Sequence, residues 1–164
     1  MTIDEFISEI ESTEPPAPMD KLDQLEREIG ATLPLDYRDF LLRSNGGSVG
    51  GALWYSEITS DGVKADAGVH HVGGFREQSY FSLVQNRECY SGRIPMELLW
   101  IMDDPFGNAI CLGIARAYRG RIYFWDHEQE PDRADWDGQF ETAGNIFLIA
   151  NSFTDFVAGL KANE

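Results

Sequence analysis

The chain has 164 residues, of which 43% are hydrophobic and 12% aromatic. A chain of this length buries about two-thirds of the surface that its unfolded form exposes, so we expect a single domain over residues 1–164. The 28 acidic and 13 basic residues give a formal net charge of −15. This charge repels nucleic acids and anionic membranes and attracts cationic partners, which argues against nucleic acid or a lipid surface as the ligand.

Cellular location and redox state follow from short segments. The longest apolar runs, Leu98 to Met102 and Ile146 to Ala150 among them, are far shorter than the roughly 20 residues that cross a bilayer. The N-terminal MTIDEFISEIE is acidic where a secretory leader is basic, which predicts a cytoplasmic protein. Cys89 and Cys111 have no CxxC spacing, so we expect reduced, buried thiols and neither a disulfide nor a zinc site.

Two helices are predicted at the start of the chain. Thr2 and Glu5 have the spacing of a capping box, and apolar residues recur after them at helical intervals. The prolines of EPPAP end this helix. Asp20 can cap a second helix, which Gly30 can end in a left-handed conformation.

A third helix is predicted within LPLDYRDFLLRSNGG, residues 33–47. Pro34 suits the first turn of a helix, and Tyr37, Phe40 and Leu41 form an apolar stripe. Asn and Gly tolerate positive φ, so the segment Asn45 to Gly47 is a helix terminus that leads into extended chain.

The pattern then changes to strands. Segments 51–58 and 69–75 are expected to be strands, and segment 79–90 favours a short helix. ELLWIMDD, NAICLGIA and GRIYFWDH are apolar runs separated by turn residues, which predicts a three-strand antiparallel meander. Ser152, three residues before Asp155, begins a terminal amphipathic helix. The chain is therefore expected to be an α+β protein, with helices packed on an antiparallel sheet made of the central meander and flanking strands.

Three of these segments carry a family resemblance. LPLDYRDFLLRSNGG resembles the signature of the SUKH superfamily, the Smi/Knr-like immunity protein family, with its Leu-Pro, aromatic-rich helix and Asn-Gly-Gly exit. LLWIMDDPFGNAICLGI is similar to that family's strand, turn and strand, and IANSFTDFVAGL to its closing helix. One departure is Gly107-Asn108, where the family usually has Gly-Asp.

The resemblance implies a SUKH-like fold and a binding function without catalysis. Bacterial members resemble cytoplasmic immunity proteins that neutralise polymorphic toxins, many of them nucleases, and fungal relatives regulate cell-wall synthesis. The matching motif positions are explained by the helix arguments as determinants of the fold: Pro34, Tyr37, Phe40, Asn45, Gly46 and Gly47. No catalytic residue is transferred.

A partner surface is predicted from charge alone. The segment Asp126 to Glu141 carries seven carboxylates and one cation, Arg133, in a pattern typical of a surface loop. Such a surface can meet the Lys and Arg with which a toxin grips phosphates. The alternative is that these acids only keep the protein soluble. The predicted residues for binding a cognate toxin domain with a basic surface are Asp103, Asp104, Asp126, Glu128, Glu130, Asp132, Asp135, Trp136 and Asp137.

The tryptophans leave two further questions open. Trp136 either pins the acidic segment to the core or stands exposed as an interface anchor. The four tryptophans either belong to the core or line the pocket of a small-molecule binder or regulatory scaffold, which is the first alternative function.

A metal-dependent hydrolase is the less favoured alternative. His70, His71 and His127, with Asp103, Asp104, Asp126 and Glu128, are the residue types that hold metals or transfer protons. Adjacent side chains on a strand point to opposite faces, so His70 and His71 are not expected to reach one ion. The sequence has no HExxH, GxSxG or phosphate-loop motif. We predict no catalytic residue, no metal site and no cofactor.

Overall fold

The computed structural model describes residues 1–12, 14–60 and 63–162, and within these ranges the chain forms helices on one antiparallel sheet. The helices are α1 (Ile3–Glu9), α2 (Met19–Ile29), α3 (Leu35–Arg43), α4 (Leu83–Cys89), α5 (Phe140–Ala143) and α6 (Phe153–Gly159). The strands are β1 (Ile10–Glu11), β2 (Gly47–Ser60), β3 (Val63–Val72), β4 (Leu98–Asp103), β5 (Ala109–Gly113), β6 (Ile122–Trp125), β7 (Ile146–Ala150) and β8 (Leu160–Ala162). The predicted α+β class is confirmed.

The N-terminal helices begin and end where local chemistry requires. The capping box of α1 is present, because the Glu5 N–H donates to the Thr2 hydroxyl over 3.2 Å and the Thr2 N–H donates to Glu5 Oε2 over 2.7 Å. Helix α2 starts after Pro18, so the prediction that Asp20 is its cap is wrong; Asp20 lies in the first turn. Gly30 ends α2 with φ of 67°, as predicted.

The Asn-Gly-Gly exit of α3 joins the helix to the start of β2, beside the end of β3. The Asn45 side chain is buried, accepts from the Phe75 N–H over 2.7 Å and donates to the Phe75 carbonyl over 3.3 Å. Gly46 has φ of 68°, and a Cβ there would lie 2.3 Å from the Val72 carbonyl oxygen. Only glycine satisfies both the conformation and the close approach, so this motif determines the fold.

The strands follow the order β1-β2-β3-β4-β5-β6-β7, and β8 pairs with β2. All the named pairings are antiparallel, and β4, β5 and β6 form the predicted meander. Strands β5 and β6 are buried along their whole length, which is why they appear in the sequence as continuous apolar runs. The meander is therefore the centre of the core.

Three helices pack through aromatic rings. Phe6 of α1, Tyr37 and Phe40 of α3, and Phe153 of α6 lie with ring centroids 5.0 to 6.5 Å apart and are fully buried. The Ser152 hydroxyl caps α6 by accepting from the Asp155 N–H over 3.0 Å, as predicted. In the described ranges, every helix is too short or too polar to traverse a lipid bilayer.

Candidate partner-binding surface

The chain leaves the sheet after β6 and returns to it at β7 through the acidic loop, which we define as residues 126–141. It contains a 3-10 turn at His127–Gln129 and the start of α5. Most of its residues are exposed, so the prediction of a surface loop is confirmed.

Trp136 holds the acidic loop in shape from within. Its indole N–H lies 3.2 Å from the Gln139 carbonyl oxygen and 3.1 Å from the Thr142 hydroxyl. The Asp137 carboxylate accepts from the Gln139 N–H over 3.0 Å and from the Thr142 hydroxyl, and these bonds, that of Thr142 first, lower the pKa of Asp137. Trp136 is half-buried, and its hydrogen bonds join the middle of the acidic loop to the C-terminal end of that loop. It is therefore neither a residue that pins the loop to the core nor a fully exposed interface anchor, the two alternatives that the sequence left open.

Several carboxylates of this loop have no countercharge in the described part of the chain. Glu128 and Asp135 are exposed, and neither side chain has a hydrogen-bond or ion-pair partner among residues 1–12, 14–60 and 63–162. Asp132 is exposed, and among the described residues its carboxylate accepts a single hydrogen bond, from the Ala134 N–H over 2.9 Å. We call Glu128, Asp132 and Asp135 the open carboxylates.

Glu130 differs from its neighbours because the chain neutralises it. Its two carboxylate oxygens accept from Nε and Nη2 of Arg93 at 2.9 and 2.8 Å, and Arg133 lies 3.8 Å away. The Arg93 guanidinium lowers the pKa of Glu130 and also lies over the Trp125 ring, 5.1 Å from its centroid. Glu130 therefore ties the loop to the body of the protein, and its predicted role in binding a partner stays a prediction.

Asp126 also has a local task. Its carboxylate accepts from the Glu128 N–H over 2.9 Å and from the Gln129 amide over 2.8 Å, and so caps the 3-10 turn. It is half-buried, so it contributes to the surface potential more weakly than the open carboxylates do.

Asp104 was predicted to be an exposed charge at the tip of the β4–β5 turn, and this is wrong. Its exposed fraction is 3%. It accepts from the N–H groups of Phe106 and Asn108 at 2.8 and 2.9 Å, and from the Asn108 side-chain amide at 2.8 Å. The carboxylate thus satisfies the donors of a tight turn and is unavailable to a partner.

The same contacts explain the departure at Gly107-Asn108. The Asn108 amide donates to Asp104, while its Oδ1 accepts from the His127 N–H over 3.1 Å and lies 2.8 Å from His127 Nδ1. An aspartate at position 108 would place two carboxylates against each other. Asn108 therefore joins the β4–β5 turn to the start of the acidic loop.

Asp103 is paired with a histidine. Both of its oxygens lie 3.1 Å from His71 Nδ1, and its Oδ1 accepts from the His71 N–H over 3.0 Å. Burial raises the pKa of Asp103 above its usual value of 3.8, and the adjacent His71 opposes this shift. Asp103 is half-buried, so it is less accessible than the turn position suggested.

The expectation that His70 and His71 diverge is also wrong. Their ring centroids lie 3.8 Å apart, and His70 Nδ1 is 3.9 Å from Asp103 Oδ1. Alternation assumes a regular ladder, but here β2 advances from Ser48 to Leu53 while β3 moves only from His71 to Val69. This irregularity leaves His70 without a register partner in β2. No sequence pattern indicated that the β2–β3 ladder would be irregular here.

The tryptophans are divided between core and surface. Trp100 and Trp125 are fully buried, whereas Trp54 and Trp136 are half-buried. Trp100 also lines a cleft of about 540 Å³ between the end of α2, α4 and the start of β4. Its indole N–H has no hydrogen-bond partner among the described residues. The small-molecule alternative stays a prediction, with this cleft as its location.

Comparison with known proteins agrees with the sequence motifs. The chain is 32% identical over 159 residues to the SPbeta prophage-derived uncharacterized protein YokK of Bacillus subtilis (strain 168), an alignment that covers 86% of this chain and 73% of that protein. The model of the SMI1 / KNR4 family (SUKH-1) matches residues 16–159. The match includes α2 to α6 and strands β2 to β7. The chain therefore belongs to the SMI1/KNR4 family, SUKH-1.

Proposed function

We propose that this chain is a non-enzymatic cytoplasmic immunity protein that neutralises a cognate bacterial toxin by binding a basic surface of its toxic domain. Membership of the SUKH-1 family supports a role of this type. The prophage-derived relative is itself uncharacterized, so the proposal rests on family membership and on the charge of this chain. Because the chain is strongly acidic, we further propose that the toxin is a nuclease.

The open carboxylates carry the proposal. They project from one loop that is braced internally by Trp136 and tied to the body by Glu130 and Arg93. A rigid display of unpaired charge loses little conformational entropy when a partner binds. Among the described residues no cation pairs with these carboxylates, so none has to be displaced before a lysine or arginine of the toxin can approach.

The mechanism is electrostatic capture followed by occlusion. A nuclease presents lysines and arginines to grip phosphates, and an anionic protein meets that surface in place of the nucleic acid. The net charge of −15 accelerates the encounter at low ionic strength, and the effect weakens as salt shortens the Debye length. The open carboxylates then orient the complex by charge complementarity.

Co-expression with a candidate toxin domain, to be sought in the genes next to this one, tests the function. We expect the wild-type chain to rescue growth. A triple variant, Glu128→Lys, Asp132→Lys and Asp135→Lys, should bind the purified toxin domain with an association rate at least about tenfold lower at low salt.

The matched control reverses three exposed acids elsewhere: Glu9→Lys, Glu14→Lys and Asp39→Lys. It changes the net charge by the same amount, so it should slow association less than the loop variant. Failure of the wild-type chain to rescue would contradict the proposed function. Equal slowing by the two triple variants would contradict the acidic loop as the binding surface and leave only the effect of total charge.

A further inference from the structure

His70, His71 and Asp103 meet where β3 ends beside β4. In sequence, all three precede the acidic loop. One possible ligand atom from each residue lies within 4.8 Å of those of the other two. Among the described residues, this is the cluster of three metal-ligating side chains. We propose that these three residues form a binding site for one divalent transition-metal ion of the zinc type. The inference does not rest on the proposed function, because neither capture nor occlusion of a toxin needs an ion.

The spacing of the ligand atoms fits such an ion. Zinc binds imidazole nitrogen and carboxylate oxygen at about 2.0 to 2.2 Å, which sets neighbouring ligand atoms of a tetrahedron about 3.4 Å apart. Here the Asp103 oxygens lie 3.1 Å from His71 Nδ1, and Oδ1 lies 3.9 Å from His70 Nδ1. These two distances need changes of at most about 0.5 Å to reach the tetrahedral value, and the two histidine ligand atoms, which lie within 4.8 Å of each other, must close on the ion as it binds.

Two of the three ligands are already held in place. His71 and Asp103 are cross-strand partners, and the His71 N–H fixes the carboxylate through its bond to Oδ1. The His71 ring stacks on Tyr80 at 5.8 Å and meets the edge of Phe81 at 5.2 Å. Orientation by surrounding groups is what distinguishes a metal site from a chance meeting of ligands.

The donor set selects the class of ion. Two imidazoles and one carboxylate suit Zn²⁺, Co²⁺, Ni²⁺ and Cu²⁺, whereas Mg²⁺ and Ca²⁺ prefer all-oxygen sites. The acidic net charge raises the local concentration of any cation. The His70 side chain is 48% exposed, so the coordination sphere is accessible from solvent and a water or a partner's side chain can complete it.

Titration calorimetry of the untagged, full-length protein with ZnCl₂ tests the site. We expect about one ion per chain with micromolar affinity, and a loss of affinity of at least about tenfold in His70→Ala and in Asp103→Asn. Asp103→Asn keeps an acceptor for the His71 N–H, and His70 is largely exposed, so both variants are expected to fold. Circular dichroism and the thermal midpoint without metal verify this.

The controls separate this site from other zinc ligands. His127→Gln removes the remaining histidine, and the Glu128, Asp132 and Asp135 triple variant removes the open carboxylates. Cys89→Ser removes a thiol that is exposed, although the sequence predicted both thiols to be buried; only Cys111 is. All three should bind Zn²⁺ like the wild type. Absence of stoichiometric binding by the wild type, or unchanged affinity in both His70→Ala and Asp103→Asn, would overturn the proposal. Rescue by the metal-free His70→Ala variant would leave the proposed function intact.

Discussion

The acidic loop and the β4–β5 turn look alike in sequence, since each places carboxylates directly after a buried strand, but the chain uses them differently. In the turn, the Asp104 carboxylate accepts hydrogen bonds from two backbone N–H groups and a side-chain amide, and Asp103 is paired with His71. In the acidic loop, the side chains of Glu128 and Asp135 have no partner among the described residues. A tight turn must satisfy its own donors with the nearest acceptor, whereas a long loop has more carboxylates than donors within reach.

The largest expected effect is on the turn. Asp104→Ala should lower the free energy of unfolding by about 3 kcal/mol, because two backbone N–H groups and the Asn108 amide lose their acceptor in a buried position. Asp104→Asn keeps an acceptor for the backbone and should cost about 1 kcal/mol. Urea denaturation measures both values. If Asp104→Ala lowered the free energy of unfolding as little as Asp135→Ala does, the carboxylates of the turn would be no more structural than those of the acidic loop.

An intermediate effect on the free energy of unfolding is expected at Glu130. This residue lies in the acidic loop, but its carboxylate is paired within the chain, as the carboxylates of the β4–β5 turn are. Glu130→Gln should cost about 1 kcal/mol at neutral pH, because it breaks a bidentate ion pair with Arg93. The pKa of Glu130 is lowered in the folded state from its usual 4.5, so its stabilisation is complete above that pH and is lost as the pH falls through the lowered pKa.

Denaturation of the wild type and Glu130→Gln between neutral and acid pH measures this dependence. The difference between them should shrink as the medium becomes more acidic than pH 4.5. Glu128→Gln is the control, since its carboxylate has no partner among the described residues. A difference that stays constant with pH would show that the pair with Arg93 does not stabilise the fold.

The smallest effect is expected at the open carboxylates. The double variant Glu128→Ala and Asp135→Ala should change the free energy of unfolding by no more than about 0.5 kcal/mol. Any change should be a gain, because two repelling charges are removed, and it should fade with added salt. Thermal denaturation at low and high salt measures this. A marked loss of stability would indicate that these acids have a structural partner and are not free to meet a toxin.

Most of the fold could be predicted because its signals are local. The capping box of Thr2 and Glu5, the left-handed Gly30 and the three apolar runs of the meander all act within a few residues. Prediction failed at Asp20, where the chain begins the helix after Pro18. The short strand β8 closes against β2, a pairing between segments about a hundred residues apart in sequence that no local pattern encodes.

The candidate site was less predictable, because charge and residue type do not show what a side chain contacts. From Asp126 to Glu141 the sequence alone determined an exposed, acidic segment, since no apolar period could bury it. Only the tertiary structure decided that Arg93, distant in sequence, neutralises Glu130, and that an irregular β2–β3 ladder brings His70 to His71 and Asp103. Local propensities act over a few residues, whereas pairing of charges and ligands depends on which strands the whole core brings together.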